Sequence, residues 1–371
     1  MTTSPDVLHL RGVVLPESEH RDLYLVDGRV TYEPTATATT IGEGWIVPGL
    51  VDAHCHVGLD RNGAVDKSTQ EEQATADRDA GTLLIRDAGS PADTRWIEDR
   101  DDLPRIIRAG RHLARTRRYL PNYGLELEPD QLPRAATEQA KRGDGWVKIV
   151  GDWIDRERGD LAPCWPNETV KAAIDAAHEA GARVTTHVFG EEGVRQFLDA
   201  GVDCIEHGTG LDDDLIALMA ERSIGLVPTL INIDSFPSIA DAAAGKFPTY
   251  ASHMRNLHTG SRAVIRRAYE AGVPIYAGSD AGGSLAHGLV GQEISALNAA
   301  GLPTLDALAA GSWRARVWLG LPGQLSEGSP ADLVIYPADP REDIGVLGHP
   351  DCIVLRGRVV HPSREISSHN V

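Results

Sequence analysis

Cysteine is scarce in this chain: Cys55, Cys164, Cys204 and Cys352 are the only four in 371 residues, and no two have CxxC spacing. That excludes a disulfide framework and a thiolate zinc cluster, and reads the four as small hydrophobes in or near the core. Long apolar runs are missing as well. No stretch approaches the roughly 18–20 uncharged apolar residues of a transmembrane helix, and residues 1–6 lack a basic-then-apolar signal pattern, so a soluble, cytoplasmic protein is expected. Positive charge is in deficit, with 36 Lys and Arg against 54 Asp and Glu, a formal net charge of −18. Nucleic acid and anionic membrane surfaces would repel such a chain and are set aside as partners. The excess acid reads as solvated surface.

What the chain does have is alternation. From about residue 46 to 323, strand-length apolar runs at 46–54, 81–86, 105–109, 146–150, 183–187, 204–207, 225–230 and 274–277 alternate with amphipathic helical stretches such as 167–180, 190–200, 212–220 and 261–271. Ala180-Gly181, Ala200-Gly201 and Ala271-Gly272 look like helix ends before the next strand. Eight strands is the count of a (β/α)8 barrel, an α/β architecture that routinely exceeds 250 residues as one domain. The two ends differ in style. Short strands at 7–14, 22–26 and 29–32, turning at Asp27-Gly28, are matched by runs at 331–336 and 352–360 with a similar Arg356-Gly357 turn. The expectation is a small β-sandwich domain built from residues 1–47 and 324–371, and a catalytic barrel over 48–323.

Within this frame one motif carries chemistry. Val51-Asp52-Ala53-His54-Cys55-His56 ends the first apolar run, and residues two apart in a strand share a face, so His54 and His56 point toward one metal. Alone, HxH is a weak signal. Further candidates close other runs: Lys148 in Trp-Val-Lys-Ile-Val, His187 in Val-Thr-Thr-His, His207 in Cys-Ile-Glu-His-Gly and Asp280 in Tyr-Ala-Gly-Ser-Asp. Five strands thus deliver six ligand candidates to the C-terminal ends, where barrel active sites sit.

The strings Pro-Gly-Leu-Val-Asp-Ala-His-Cys-His, Ala-Gly-Val-Asp-Cys-Ile-Glu-His-Gly, Leu-Val-Pro-Thr-Leu and Ala-Gly-Ser-Asp-Ala-Gly-Gly together resemble the amidohydrolase superfamily, closest to its prolidase-like and imidazolonepropionase-related branch. The resemblance spans essentially the whole chain. It implies a hydrolase of carbon–nitrogen bonds with two divalent ions, zinc first, with iron, manganese or cobalt also compatible. His54 and His56 would hold the first ion, His187 and His207 the second. Lys148 would bridge them as an N-carboxylated side chain, and Asp280 would bind the first ion and act as general acid and base. Physically, a lysine neutralised in a cationic pocket can take up carbon dioxide and become a carboxylate long enough to reach two metals. Two ions roughly 3.5–4 Å apart would hold a bridging hydroxide and polarise an amide carbonyl.

The resemblance also bears on substrate. His287, in the His-Gly pair after Asp280, and Arg117 and Tyr119, after the third strand, are substrate-binding candidates; an arginine there would grip a carboxylate. Two departures argue against a peptide carboxylate. The run Ile231-Asn232-Ile233-Asp234 is aliphatic where relatives often carry a tyrosine, and the third strand lacks a histidine-rich turn. The substrate is expected to be a small amide, a dipeptide or a cyclic amide. The alternative is a one-metal deaminase or imidazolone-type cyclic-amide hydrolase; against it, the position three after His187 is Gly190, where deaminase relatives place a glutamate. His253 and His258 read as surface or packing histidines, and the oligomeric state, a homo-oligomer included, stays open.

Overall fold

The computed structural model describes residues 7–35 and 37–362. Both ends of the chain enter one seven-stranded sheet, in the order Arg358–Pro362, Cys352–Leu355, Leu333–Tyr336, Thr39–Pro48, Leu8–Val14, Glu19–Val26, Arg29–Thr31. Its edge strand curls back, because Val30 N–H bonds the Ser329 carbonyl at 2.9 Å and Arg29 bridges to Pro330. The curl encloses a core of its own, in which Leu10, Leu23, Leu25, Ile46, Leu333 and Val354 are buried together.

Most of the remaining strands lie in two parallel sheets. One sheet runs Ala281–Gly283, Leu50–Asp60, Thr82–Asp87, Arg105–Arg108; another runs Leu125–Leu127, Leu113–Arg115, Trp146–Val150, Arg183–Val188, Cys204–His207, Gly225–Val227. Thr82–Asp87 and Trp146–Val150 are buried at every position, as strands covered on both faces must be. The two sheets meet twice. Leu226 bridges in parallel to Ile275, whose neighbour Ala277 accepts from Ala53 N–H at 2.8 Å; on the other side Asp144 N–H bonds the Arg108 carbonyl at 2.8 Å.

The expected first barrel strand, 46–54, is two strands. Thr39–Pro48 belongs to the terminal sheet and Leu50–Asp60 to the parallel one, with Gly49 between. A Cβ on Gly49 would stand 2.6–2.8 Å from Leu83 and Arg316, so only glycine lets the chain pass there. The helix expected at 261–271 is the tail of a 23-residue helix, Pro248–Glu270.

Candidate metal centre

A bulge aims the first pair of histidines. Val51 and Ala53 pack inward on Trp146, Cys204 and Val227, and strict alternation would then send His54 outward. The register with Thr82–Asp87 shifts between Asp52 and Cys55, so the strand gains a residue and His54 and His56 both face inward while Cys55 turns to the outer helix Lys67–Asp79. Asp52 holds this turn, accepting from His54 N–H at 3.1 Å and from the N–H of Ser279 at 3.0 Å.

Three imidazoles are then oriented the same way. His54 Nδ1 lies 2.7 Å from Glu206 Oε2, His56 Nδ1 2.7 Å from the Gly89 carbonyl, and His207 Nδ1 2.7 Å from Thr229 Oγ1. An Nδ1–H donated to each acceptor leaves the Nε2 lone pair free to ligate. The Nε2 atoms of His54 and His56 are 3.1 Å apart and meet Asp280 Oδ1 at 3.1 and 3.0 Å. Ligand atoms of His54, His207 and Asp280 all lie within 4.8 Å of one another. His187 Nδ1 is 3.0 Å from His207 Nε2, and its Nε2 is buried without a partner. Converging lone pairs and an orphaned buried nitrogen are the donor set that divalent cations require.

Backbone strain sits at the same spot. His207, Thr229 and Asp280 have left-handed φ of 67°, 50° and 57°. Such backbone costs about 1–3 kcal/mol per non-glycine residue and persists where surrounding structure imposes it. Asp280 is held there by its own backbone, whose N–H bonds the His54 carbonyl at 2.7 Å.

The electrostatics suit ligation. Burial pushes the His207 imidazolium down to about 3, His187 well below its ordinary value and His56 lower as well, so these rings are neutral. Burial and Lys148 also oppose charge on His54, but the Asp280 and Glu206 carboxylates outweigh them and raise it. That negative field would equally favour a metal at Nε2. Burial alone would raise the Asp280 carboxyl, yet His54, His56 and His207 hold it well below the usual range. Lys148 is 1% exposed and burial lowers its ammonium, the direction that frees an amine to react.

The other expected residues divide. Tyr119 reaches the cluster, its ring 5.5 Å from His187 and 4.9 Å from Trp153, while Phe189 stacks edge-on to His187 at 4.4 Å. Arg117 is exposed, and among the described residues no hydrogen bond or ion pair joins it to the histidines. His287 lies on the outer side of the first parallel strand, 2.8 Å from Asp77 Oδ2. Three residues were not singled out from sequence. Glu206 accepts from His54, Arg86 and Thr185 at zero exposure. His112, fully buried with neither ring nitrogen partnered, lies 5.0 Å from the His56 ring. It stands where a histidine-rich turn was thought missing; the signal was Gly110-Arg111-His112, four residues past the strand Arg105–Arg108. Trp153 comes from a hairpin, Asp152–Asp155 with Asp160–Pro163.

Residues 45–360 match the model of the Amidohydrolase family. An uncharacterized protein of Mycobacterium tuberculosis is 56% identical over 357 residues, 96% of each chain. The ochratoxinase of Aspergillus niger is 28% identical over 231 residues, 60% of this chain and 47% of its own. Among solved structures, a putative prolidase from Bifidobacterium longum superposes with a TM-score of 0.80 at 25% identity, covering 98% of this chain and 97% of that one.

Proposed function

The chain belongs to the amidohydrolase family, in its prolidase-like branch, and is a hydrolase of carbon–nitrogen bonds; from that premise we propose that it cleaves an amide-type bond at a binuclear metal centre held by His54, His56, Lys148, His187, His207 and Asp280. The observation that carries this reading is the anchoring of three Nδ1 atoms with their Nε2 atoms turned toward Asp280 and a buried lysine nearby. On this reading the parallel sheets close into a (β/α)8 barrel over residues 48–323, and the curled terminal sheet is a small β-sandwich domain over 1–47 and 324–371, of which 1–6, 36 and 363–371 lie outside the described residues.

When bound, divalent ions, zinc first, lower the proton affinity of an attacking water and polarise the substrate carbonyl. Lys148, N-carboxylated, would span two of them. Asp280, ionised beside three imidazoles, accepts the proton of the attacking water and delivers it to the leaving nitrogen. His112, buried and unpartnered beside His56, is placed to donate to a substrate oxygen. Tyr119, Trp153 and Phe189 wall the His187 side with aromatic surface, which suits an amide flanked by an apolar or aromatic group. The likeness to a putative prolidase and to a Xaa-Pro dipeptidase is consistent with a dipeptide-type amide.

Elemental analysis of protein purified with bicarbonate, beside Lys148→Ala, tests the reading. The inner centre should account for about two equivalents per chain, at least one of which Lys148→Ala should lose. An inner centre of one equivalent, unchanged in Lys148→Ala, would favour the single-metal set His54, His207 and Asp280 and the deaminase or cyclic-amide chemistry that goes with it.

A further inference from the structure

A second set of ligating side chains lies on the outer face of the strand that carries His54 and His56. Cys55 Sγ is 3.7 Å from Asp77 Oδ2 and 3.6 Å from His287 Nδ1, and the imidazole and carboxylate are 2.8 Å apart. The three come from the strand Leu50–Asp60, the helix Lys67–Asp79 and the loop that follows Asp280. Their side chains are at most 5% exposed. Zinc bonds of about 2.3 Å to sulfur and about 2.0 Å to nitrogen or oxygen place tetrahedral ligand atoms roughly 3.3–3.6 Å apart. The sulfur–imidazole spacing of 3.6 Å falls in that range and the sulfur–carboxylate spacing of 3.7 Å lies just beyond it; the imidazole and carboxylate need to open by about half an ångström.

Two further observations point to a cation. Asp87 is the register partner of Cys55 and lies on its face of the sheet, beside Ile85; its Oδ2 is buried without a hydrogen-bond partner. His287 Nε2, on the same face, is buried and unpartnered too. Two carboxyl groups and a thiol thus share a dry space with a single imidazole. Burial raises Asp87 to about 7, as expected of an acid that lacks a compensating charge.

We infer that Cys55, Asp77 and His287 form a structural site for one zinc-class divalent cation, with Asp87 beside it. Sulfur, imidazole and carboxylate are a zinc-type donor set rather than a calcium or magnesium one. Binding releases the Cys55 proton to solvent and leaves the thiolate on the metal. The cation would join the outer helix, the first parallel strand and the loop behind Asp280, which Asp77 already links by accepting from Gly288 N–H at 2.7 Å. The site shares no ligand with the inner histidines and does not depend on how many ions they hold.

Cobalt(II) loading of the full chain distinguishes the two places, because the inner set offers only nitrogen and oxygen donors while this one offers a thiolate. The wild-type protein should show a thiolate-to-cobalt charge-transfer absorption in the near ultraviolet. Cys55→Ser should lose that band and one cobalt equivalent per chain, whereas Cys164→Ser, Cys204→Ser and Cys352→Ser should keep both. Should Cys55→Ser lack native circular dichroism, His287→Gln supplies the second reading and should lose the same equivalent. Folded wild-type protein without the band, or a band that survives both Cys55→Ser and His287→Gln, overturns the site and leaves the trio as a hydrogen-bonded latch.

Discussion

Asp280 stands where His54 and His56 converge, and its charge rather than its volume serves the proposed proton transfer. Asp280→Asn should keep bound metal within a fraction of an equivalent and lower kcat by at least about 10²-fold, the usual range for losing a positioned acid–base group. Near-normal turnover in that variant would remove Asp280 from the mechanism. Glu206 acts through others. It fixes the His54 ring and neutralises Arg86, both at zero or near-zero exposure. Glu206→Gln should lower metal affinity about 10–100-fold and, by stranding the buried Arg86 guanidinium, cost about 3–5 kcal/mol of stability. Metal titration and denaturant unfolding read the two effects separately. The six ligand candidates stood out in the sequence because each lies within or directly after a strand-length apolar run. Glu206 and His112 were not, since their meaning depends on contacts with His54 and His56, 152 and 56 positions away in sequence.

Elements were legible where the hydrophobic pattern was unbroken, as in Trp146–Val150 and Cys204–His207, and blurred where tertiary contacts set the boundary. The split at Gly49 and the bulge after Asp52 are invisible in periodicity because both halves of the run are apolar. The hairpin that brings Trp153 to His187 shows the same limit, since its anchoring is remote. Asp160 in its second strand lies 2.9 Å from His253 Nδ1, and His253 Nε2 lies 3.1 Å from Glu191 Oε2. The hydrogen bond to Glu191, aided by Asp160, raises His253 to about 9 against its burial, so this histidine is an anchor rather than free surface. A folded-state value above the unfolded one of about 6.5 means the charged ring contributes stability below pH 6.5 and loses it as pH rises through 9. The midpoint of thermal unfolding should therefore fall between about pH 6.5 and 9, and the slope over that window should flatten in His253→Gln. An identical slope in the variant would place the pH response elsewhere.

For the whole molecule, the interior of the parallel sheets holds more buried polarity than hydrophobic burial alone would stabilise: Arg86, Lys148, Glu206 and five histidines, His54, His56, His112, His187 and His207. Much of it is satisfied internally, but the inner Nε2 atoms and the His187 ring face one another rather than donors. Ligands that bind only the folded chain add stability by mass action, about 2.7 kcal/mol for each site held at a hundred times its Kd. Two ions would then add about 5 kcal/mol. With an unfolding entropy of roughly 2 cal/mol/K per residue, a chain of 371 residues converts this into a Tm lower by about 7 °C once chelator removes the metal. Differential scanning calorimetry of Cys55→Ser, in which a chelator can reach only the inner ions, before and after chelation and with zinc and bicarbonate added back, measures it. The shift should be smaller in Lys148→Ala, which lacks the bridging side chain, and an unchanged Tm in the chelated wild type would mean that the imidazoles are satisfied without a cation.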